Sequence, residues 1–220
     1  MYVVGRDCET NELKVLVVSF KGDFLQSGKS LLGIDLANMI QSPYADFKLV
    51  PKDGMEQAVP VVKAVLATRW PWFDSLLKSG MQELEAGAVQ IPKRRAIVVS
   101  LVSFLYTGVL ASSLPLKTLS GLAKLANMYQ MRELMKLTRA ALSELMDEEN
   151  CVKVFVVAVK VKDAALIFHC GKFIAKNLKT VFQSDDFPLL MSIPDAKAEL
   201  ANYLPDDHSN QSRKRRRAKE

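Results

Sequence analysis

Gly22 and the run Gly28-Lys29-Ser30, behind a β-branched stretch from Leu13 to Phe20, are the residues whose types come nearest to a reaction. Together they imitate a phosphate-binding loop, with glycine backbone to wrap a phosphate, a lysine to meet its charge and a hydroxyl for magnesium. The spacing fails: five residues separate Gly22 from Gly28 where the motif has four, and no later strand ends in the carboxylate that would hold the metal. His169 lies in an apolar helical stretch and His208 in a polar terminus, with no Ser, Cys or carboxylate constellation around either. Cys8, Cys151 and Cys170 are odd in number and lack the paired spacing of a disulfide framework or a zinc site, so they read as buried free thiols. The residues therefore imply no catalytic group, no metal and no cofactor.

Composition is that of a globular protein. The 220 residues are 49% hydrophobic and 25% charged, enough apolar material for one or two packed domains. The longest nearly uncharged stretch, Ala96 to Leu116, is broken by Ser100, Ser103, Thr107, Gly108, Ser112, Ser113 and Pro115, which predicts no membrane helix. Met1 to Asp7 has no basic segment leading into an apolar run, so an intracellular protein is expected. Half of the net charge of +6 sits in residues 205–220, where six bases face three acids. The remainder is only mildly basic and has no face of interleaved Arg and aromatics, which argues against nucleic acid as a partner.

The elements that must position any site follow from periodicity and punctuation. Glu12 to Phe20 alternates as a strand that stands alone, and Lys21 to Ser30 reads as linker. Ile34 to Ile40 predicts a helix with Leu36, Met39 and Ile40 on one face, stopped by Pro43. Asp46–Val50 and Ala58–Pro60 read as a hairpin around Lys52-Asp53-Gly54, Val61–Thr68 as a helix, and Trp70-Pro71-Trp72-Phe73 as the opening of another. Helices are expected from Arg95 to Thr107-Gly108, over Leu116–Met128 and over Met131–Leu145, with stripes Leu119, Leu122, Leu125, Ala126 and Leu134, Leu137, Ala141, Leu145. The Val-rich segment Val152–Val161 has strand propensity, but Asp147 to Asn150 ahead of it suits a helix start, and we read a buried helix followed by another over Ala164–Lys179. The fold class is α+β, mainly α, with a polar tail over 205–220 that is expected to stay unfolded.

In combination, Lys63-Ala64-Val65-Leu66-Ala67, Trp70-Pro71-Trp72-Phe73, Gly80-Met81-Gln82-Glu83 and Phe104-Leu105-Tyr106-Thr107-Gly108 resemble a BTB/POZ domain. The resemblance runs from Asp35 to about Leu145, with Asp46 at the family's early acidic position. Val62 departs from it, standing where most relatives have a His whose polar contact lies inside the dimer. Asn150-Cys151-Val152 through Phe155, Ala158, Asp163, Ala164, Leu166, Phe173 and Ile174 resembles the helical extension of the speckle-type POZ (MATH-BTB) proteins, whose MATH domain would survive here as its last strand. The implied organisation is a strand and linker over 1–30, a BTB/POZ fold (a small sheet with a helical cluster) over 31–145, a BACK-like helical extension over 146–204 and the tail.

The resemblance implies a homodimeric, non-catalytic adaptor that docks on cullin three and recruits protein substrates for ubiquitination. Met81 and Glu83 would supply an apolar knob and an acceptor to the cullin, flanked by Tyr106; Tyr106 could equally be a core residue with a satisfied hydroxyl. Leu36, Met39 and Ile40 would pair with a second copy or with related BTB proteins, or else pack on their own core. Arg213, Lys214, Arg215, Arg216 and Arg217 would form a nuclear import signal, placing the protein in the nucleus and also the cytoplasm. The alternative is a cullin-independent scaffold in transcriptional regulation, or a dominant-negative dimer partner.

Overall fold

The apolar run from Phe47 to Pro51, broken only by exposed Lys48 and followed by Asp53-Gly54, forms the central strand of the sheet on which the first half of the chain is built. The computed structural model describes residues 2–6, 13–17, 35–36, 39–40, 43–79 and 86–204, the first two stretches as backbone only. Strand β1 (Tyr2–Arg6) pairs antiparallel with β2 (Leu13–Val17), Val4 opposite Val15. The strand read as isolated therefore has a partner; Gly5, the fourth of the five residues of β1, hides that segment's strand character from a propensity reading.

Strand β3 (Phe47–Pro51) is the centre of a second sheet of order β4-β3-β5. The expected hairpin is present: β4 (Val59–Val61) runs antiparallel to β3 with Leu49 opposite Val59. On the other edge β5 (Ala88–Ile91) runs parallel to β3, Leu49 opposite Val89. A parallel neighbour needs a long crossover. Helices α1 (Lys63–Arg69) and α2 (Pro71–Lys78) provide it, with Trp70 extended between them and Pro71 at the first turn of α2, where its missing N–H costs nothing.

Four helices follow: α3 (Arg95–Thr107), α4 (Leu116–Met128), α5 (Arg132–Glu144) and α6 (Cys151–Val161). The Thr107-Gly108 stop works as read: Gly108 takes the left-handed conformation, φ 74°, and its N–H donates to the Phe104 carbonyl at 2.7 Å. Helix α6 settles the Val-rich segment as helix. Nine of its 11 residues are buried, so packing on every side overrides strand propensity. After it, Asp163 caps α7 (Ala164–Lys176), accepting the Leu166 N–H at 3.1 Å. The single helix expected to Lys179 breaks at Asn177, and α8 (Leu178–Phe182), α9 (Phe187–Met191) and α10 (Pro194–Ala201) complete the described chain.

Two apolar clusters organise these elements. The first gathers Phe47, Leu49, Val61, Leu66, Trp70 and Phe73 with the inner faces of α3 and α4. The second gathers α6, α7 and α10 with Leu142 of α5. Helix α4 belongs to both: Leu122, Leu125 and Ala126 enter the first, Leu119 and Ala123 the second. One expectation for α5 fails. Leu134 is buried, but Leu137 and Leu145 are exposed and Ala141 is only half-buried; the covered row is Leu134, Thr138 and Leu142. Thr138 can take a core position because its hydroxyl donates to the Leu134 carbonyl at 2.8 Å.

Candidate docking surface and pairing face

The start of α1 takes its hydrogen-bond partners from two distant elements. Val62 caps α1 without a polar side chain, so the helix needs its acceptors from elsewhere. Asp46, just ahead of β3, reaches across to accept the Lys63 N–H at 2.7 Å. Tyr106, the penultimate residue of α3, accepts the Val62 N–H on its hydroxyl at 2.8 Å. An acidic residue at position 46 thus has a structural use: a negative charge at a helix N-terminus. Burial is the main cause that pushes the Tyr106 phenol above its ordinary range; the Asp46 charge adds to it, and the Val62 N–H opposes it.

Tyr106 is consequently a core residue, 0% exposed. It is not placed to flank a docking surface as an aromatic anchor; of the two readings left open for it, the structure has the core tyrosine with its hydroxyl satisfied. No sequence signal separates the two, because both use an aromatic at the end of a helix.

Trp70 orients α2. Its ring lies 5.0 Å from Trp72, 5.9 Å from Phe73 and 4.9 Å from Tyr129, the last edge-on, which seats the α1–α2 junction against the end of α4. The Trp70 side chain is fully buried and its Nε1–H has no acceptor among the described residues. Helix α2 then leads to Ser79, whose hydroxyl closes the helix on the Leu76 carbonyl at 2.7 Å.

Met81 and Glu83 lie outside the described residues, in the segment that joins α2 to β5. Both ends of that segment, Ser79 and Ala86, line an open groove of about 990 Å³. Val50, Trp72, Leu76 and Val89 contribute to its apolar wall, and Ser75 and Gln90 add polar atoms. Such a lining suits an apolar anchor with a few hydrogen bonds around it.

Leu36, Met39 and Ile40 lie together, half-buried against the first core, with the Met39 N–H donating to the Leu36 carbonyl at 3.0 Å. Their contacts within one chain leave part of each side chain open. The basic run Arg213 to Arg217 lies outside the described residues. Among the described residues no group of three or more His, Cys, Asp and Glu could hold a metal, and no helix is long and apolar enough to cross a membrane. Cys151 and Cys170 are buried free thiols, as read; burial pushes the Cys170 thiol up to about 12.

Comparison with known proteins assigns residues 37–146 to the BTB/POZ domain. Among curated proteins the chain is similar to Kelch-like protein 7 of Gallus gallus, 26% identical over 133 residues, which are 60% of this chain and 22% of that protein. It is also similar to Kelch-like protein 9 of Mus musculus, 24% identical over 149 residues (67% of this chain, 24% of that protein). Kelch-like protein 28 of Mus musculus is 28% identical over 126 residues (57% and 22%). The chain thus spans less than a quarter of the length of these relatives. A hairpin with a parallel third strand, a two-helix crossover beginning at Lys63-Ala64 and three stacked helices to Glu144 fill the matched range, and the chain belongs to the BTB/POZ domain family.

Proposed function

We propose that this protein is a homodimeric BTB adaptor that docks on cullin three and brings protein substrates to a ubiquitin ligase. BTB/POZ membership carries the reading, and the open groove lined by Ser79 and Ala86, the described residues that flank the Met81–Glu83 segment in sequence, supports it, because an apolar wall with a few polar atoms is what an apolar anchor requires. Pairing through Leu36, Met39 and Ile40 would present two docking sites, so that weak contacts gain through effective concentration. The curated relatives reported above are Kelch-like; a speckle-type POZ assignment within the family rests only on the resemblance of the extension after Asn150, and Arg213 to Arg217 would direct import into the nucleus.

Calorimetry of the chain against the N-terminal domain of cullin three tests the reading, alongside the Met81→Ala/Glu83→Ala variant. Binding by the parent chain and its loss in the variant support it. Absence of binding by the parent chain overturns it and moves the weight to the cullin-independent scaffold or dominant-negative partner. Sedimentation of the parent chain and of Met39→Glu tests the pairing face, with a shift from dimer to monomer expected.

A further inference from the structure

The last described helix leaves a cleft that the proposed function does not use. Helix α10 lies across the α6–α7 corner and encloses with it about 650 Å³. The floor is apolar, from Val159 of α6 and Ile167 of α7. One wall is a single face of α10: Asp195, Ala198, Glu199 and Asn202, spaced three to four residues apart so that their side chains align. Lys162, at the left-handed end of α6, stands at the opposite edge. No cation pairs with Asp195 or Glu199 among the described residues; Glu199 accepts only the Asn202 side-chain amide, at 3.4 Å. The wall is thus two unpaired carboxylates above an apolar floor.

The described residues end at the rim of this cleft. Tyr203, the residue after Asn202, has its ring over Gly171, where an added Cβ would come within 2.5 Å of it. That packing fixes where the polypeptide exits α10. Residues 205–212 then separate the exit from Arg213-Lys214-Arg215-Arg216-Arg217. Eight residues reach up to about 28 Å, while Asp195 lies only about 10 Å back along α10 from Asn202. Asp206 and Asp207 carry the same sign as the wall, which leaves the five-residue basic run as the complementary part of this segment.

We infer that the basic run Arg213–Arg217 docks in cis into the cleft between α10 and the α6–α7 corner, with its charges on Asp195 and Glu199 and its arginine methylenes over Val159 and Ile167. Arginine suits both demands, since its stem covers apolar surface while the guanidinium holds a carboxylate. Tethering raises the local concentration to the millimolar range, so a contact too weak to form between free molecules is populated. Docked, the run is withheld from other acidic partners, which must compete with the cleft.

Trypsin cuts at arginine and lysine, so release of the C-terminal peptide, timed by mass spectrometry on the full chain at low salt, reads the docked fraction. Asp195→Lys/Glu199→Lys should speed release about fivefold, in keeping with the loss of two exposed ion pairs. Added salt should do the same for the parent chain but not for the free peptide of residues 205–220. Equal release rates in parent and variant overturn the proposal. Because charge reversal could disturb α10, amide shifts on removing residues 205–220 give a second reading. Shifts at Lys162, Ala164 and Ala198 support docking, and shifts confined to Tyr203 and Leu204 overturn it.

Discussion

Arg139 on α5 and Asp163 at the start of α7 form the bond whose removal is most informative, because α5 lies within the range matched to the BTB/POZ domain and α7 lies beyond it. The Arg139 Nε donates to Asp163 Oδ2 at 2.7 Å, while Asp163 Oδ1 accepts the Leu166 N–H. Their side chains are 40% and 5% exposed. That difference predicts an asymmetry. Asp163→Ala removes an N-cap, about 1 kcal/mol, and a pair whose cation can rehydrate, so the pair adds only about 1 kcal/mol after screening. Arg139→Ala keeps the cap but strands a carboxylate that water barely reaches, costing about 2–3 kcal/mol. The two single changes should therefore cost similar amounts, although one removes two interactions and the other one. In the double variant the stranded charge is gone, and the cost should fall short of the sum by about 1–2 kcal/mol.

Urea titrations of the four proteins, followed by helical circular dichroism, measure all three quantities. A midpoint shift at constant slope is expected, together with a fall in melting temperature of roughly 5–8 °C for each single variant. If Arg139→Ala stays within about 0.5 kcal/mol of the parent, the carboxylate is adequately solvated without its cation and the reasoning fails.

Tyr106→Phe leaves the Val62 N–H without its 2.8 Å acceptor and should cost about 1–2 kcal/mol in the same titration; a change under about 0.5 kcal/mol would mean that water takes the site. Gly108→Ala forces a β-carbon onto a residue at φ 74° and brings it within 3.2 Å of the Arg69 guanidinium, for an expected loss of about 1–2 kcal/mol by thermal melting. Cys170, pushed up to about 12 by burial, should not react with a thiol reagent at pH 8 until denaturant is added. Its folded value lies above the unfolded value of about 8.5, so its stabilising contribution is complete below that pH and is lost as the pH rises toward 12, which alkaline titration of stability reads directly.

What the sequence conveys about the fold depends on how local each determinant is. Asp53-Gly54 between two apolar runs specifies a hairpin, and Thr107-Gly108 ends α3, because the information lies within a few residues. Strand β5 is four residues long and owes its place to a parallel partner 40 positions away, so no local pattern announces it. Helix α5 misleads for another reason: its buried row includes Thr138, whose polarity is cancelled by a bond to its own helix, while Leu137 and Leu145 point outward. At the candidate site the same rule holds. The acid at position 46 is readable, but its acceptance of the Lys63 N–H and the burial of Tyr106 are tertiary facts.

Helix α4 shows how a correct pattern can still understate a structure. Leu119, Leu122, Leu125 and Ala126 form a stripe, and every one of them is buried. A stripe says that a face is covered, not by how many neighbours. Here Ala123 widens it, and Gly121 admits the Ile97 side chain of α3 so closely that a β-carbon would meet it at 2.3 Å. Leu122, Leu125 and Ala126 consequently face the sheet-bearing core, while Leu119 and Ala123 face α6 and its neighbours. With one helix shared, neither core can lose its packing without exposing part of the other. The helical extension is then a structural continuation of the BTB/POZ fold, fastened a second time where Arg139 meets Asp163.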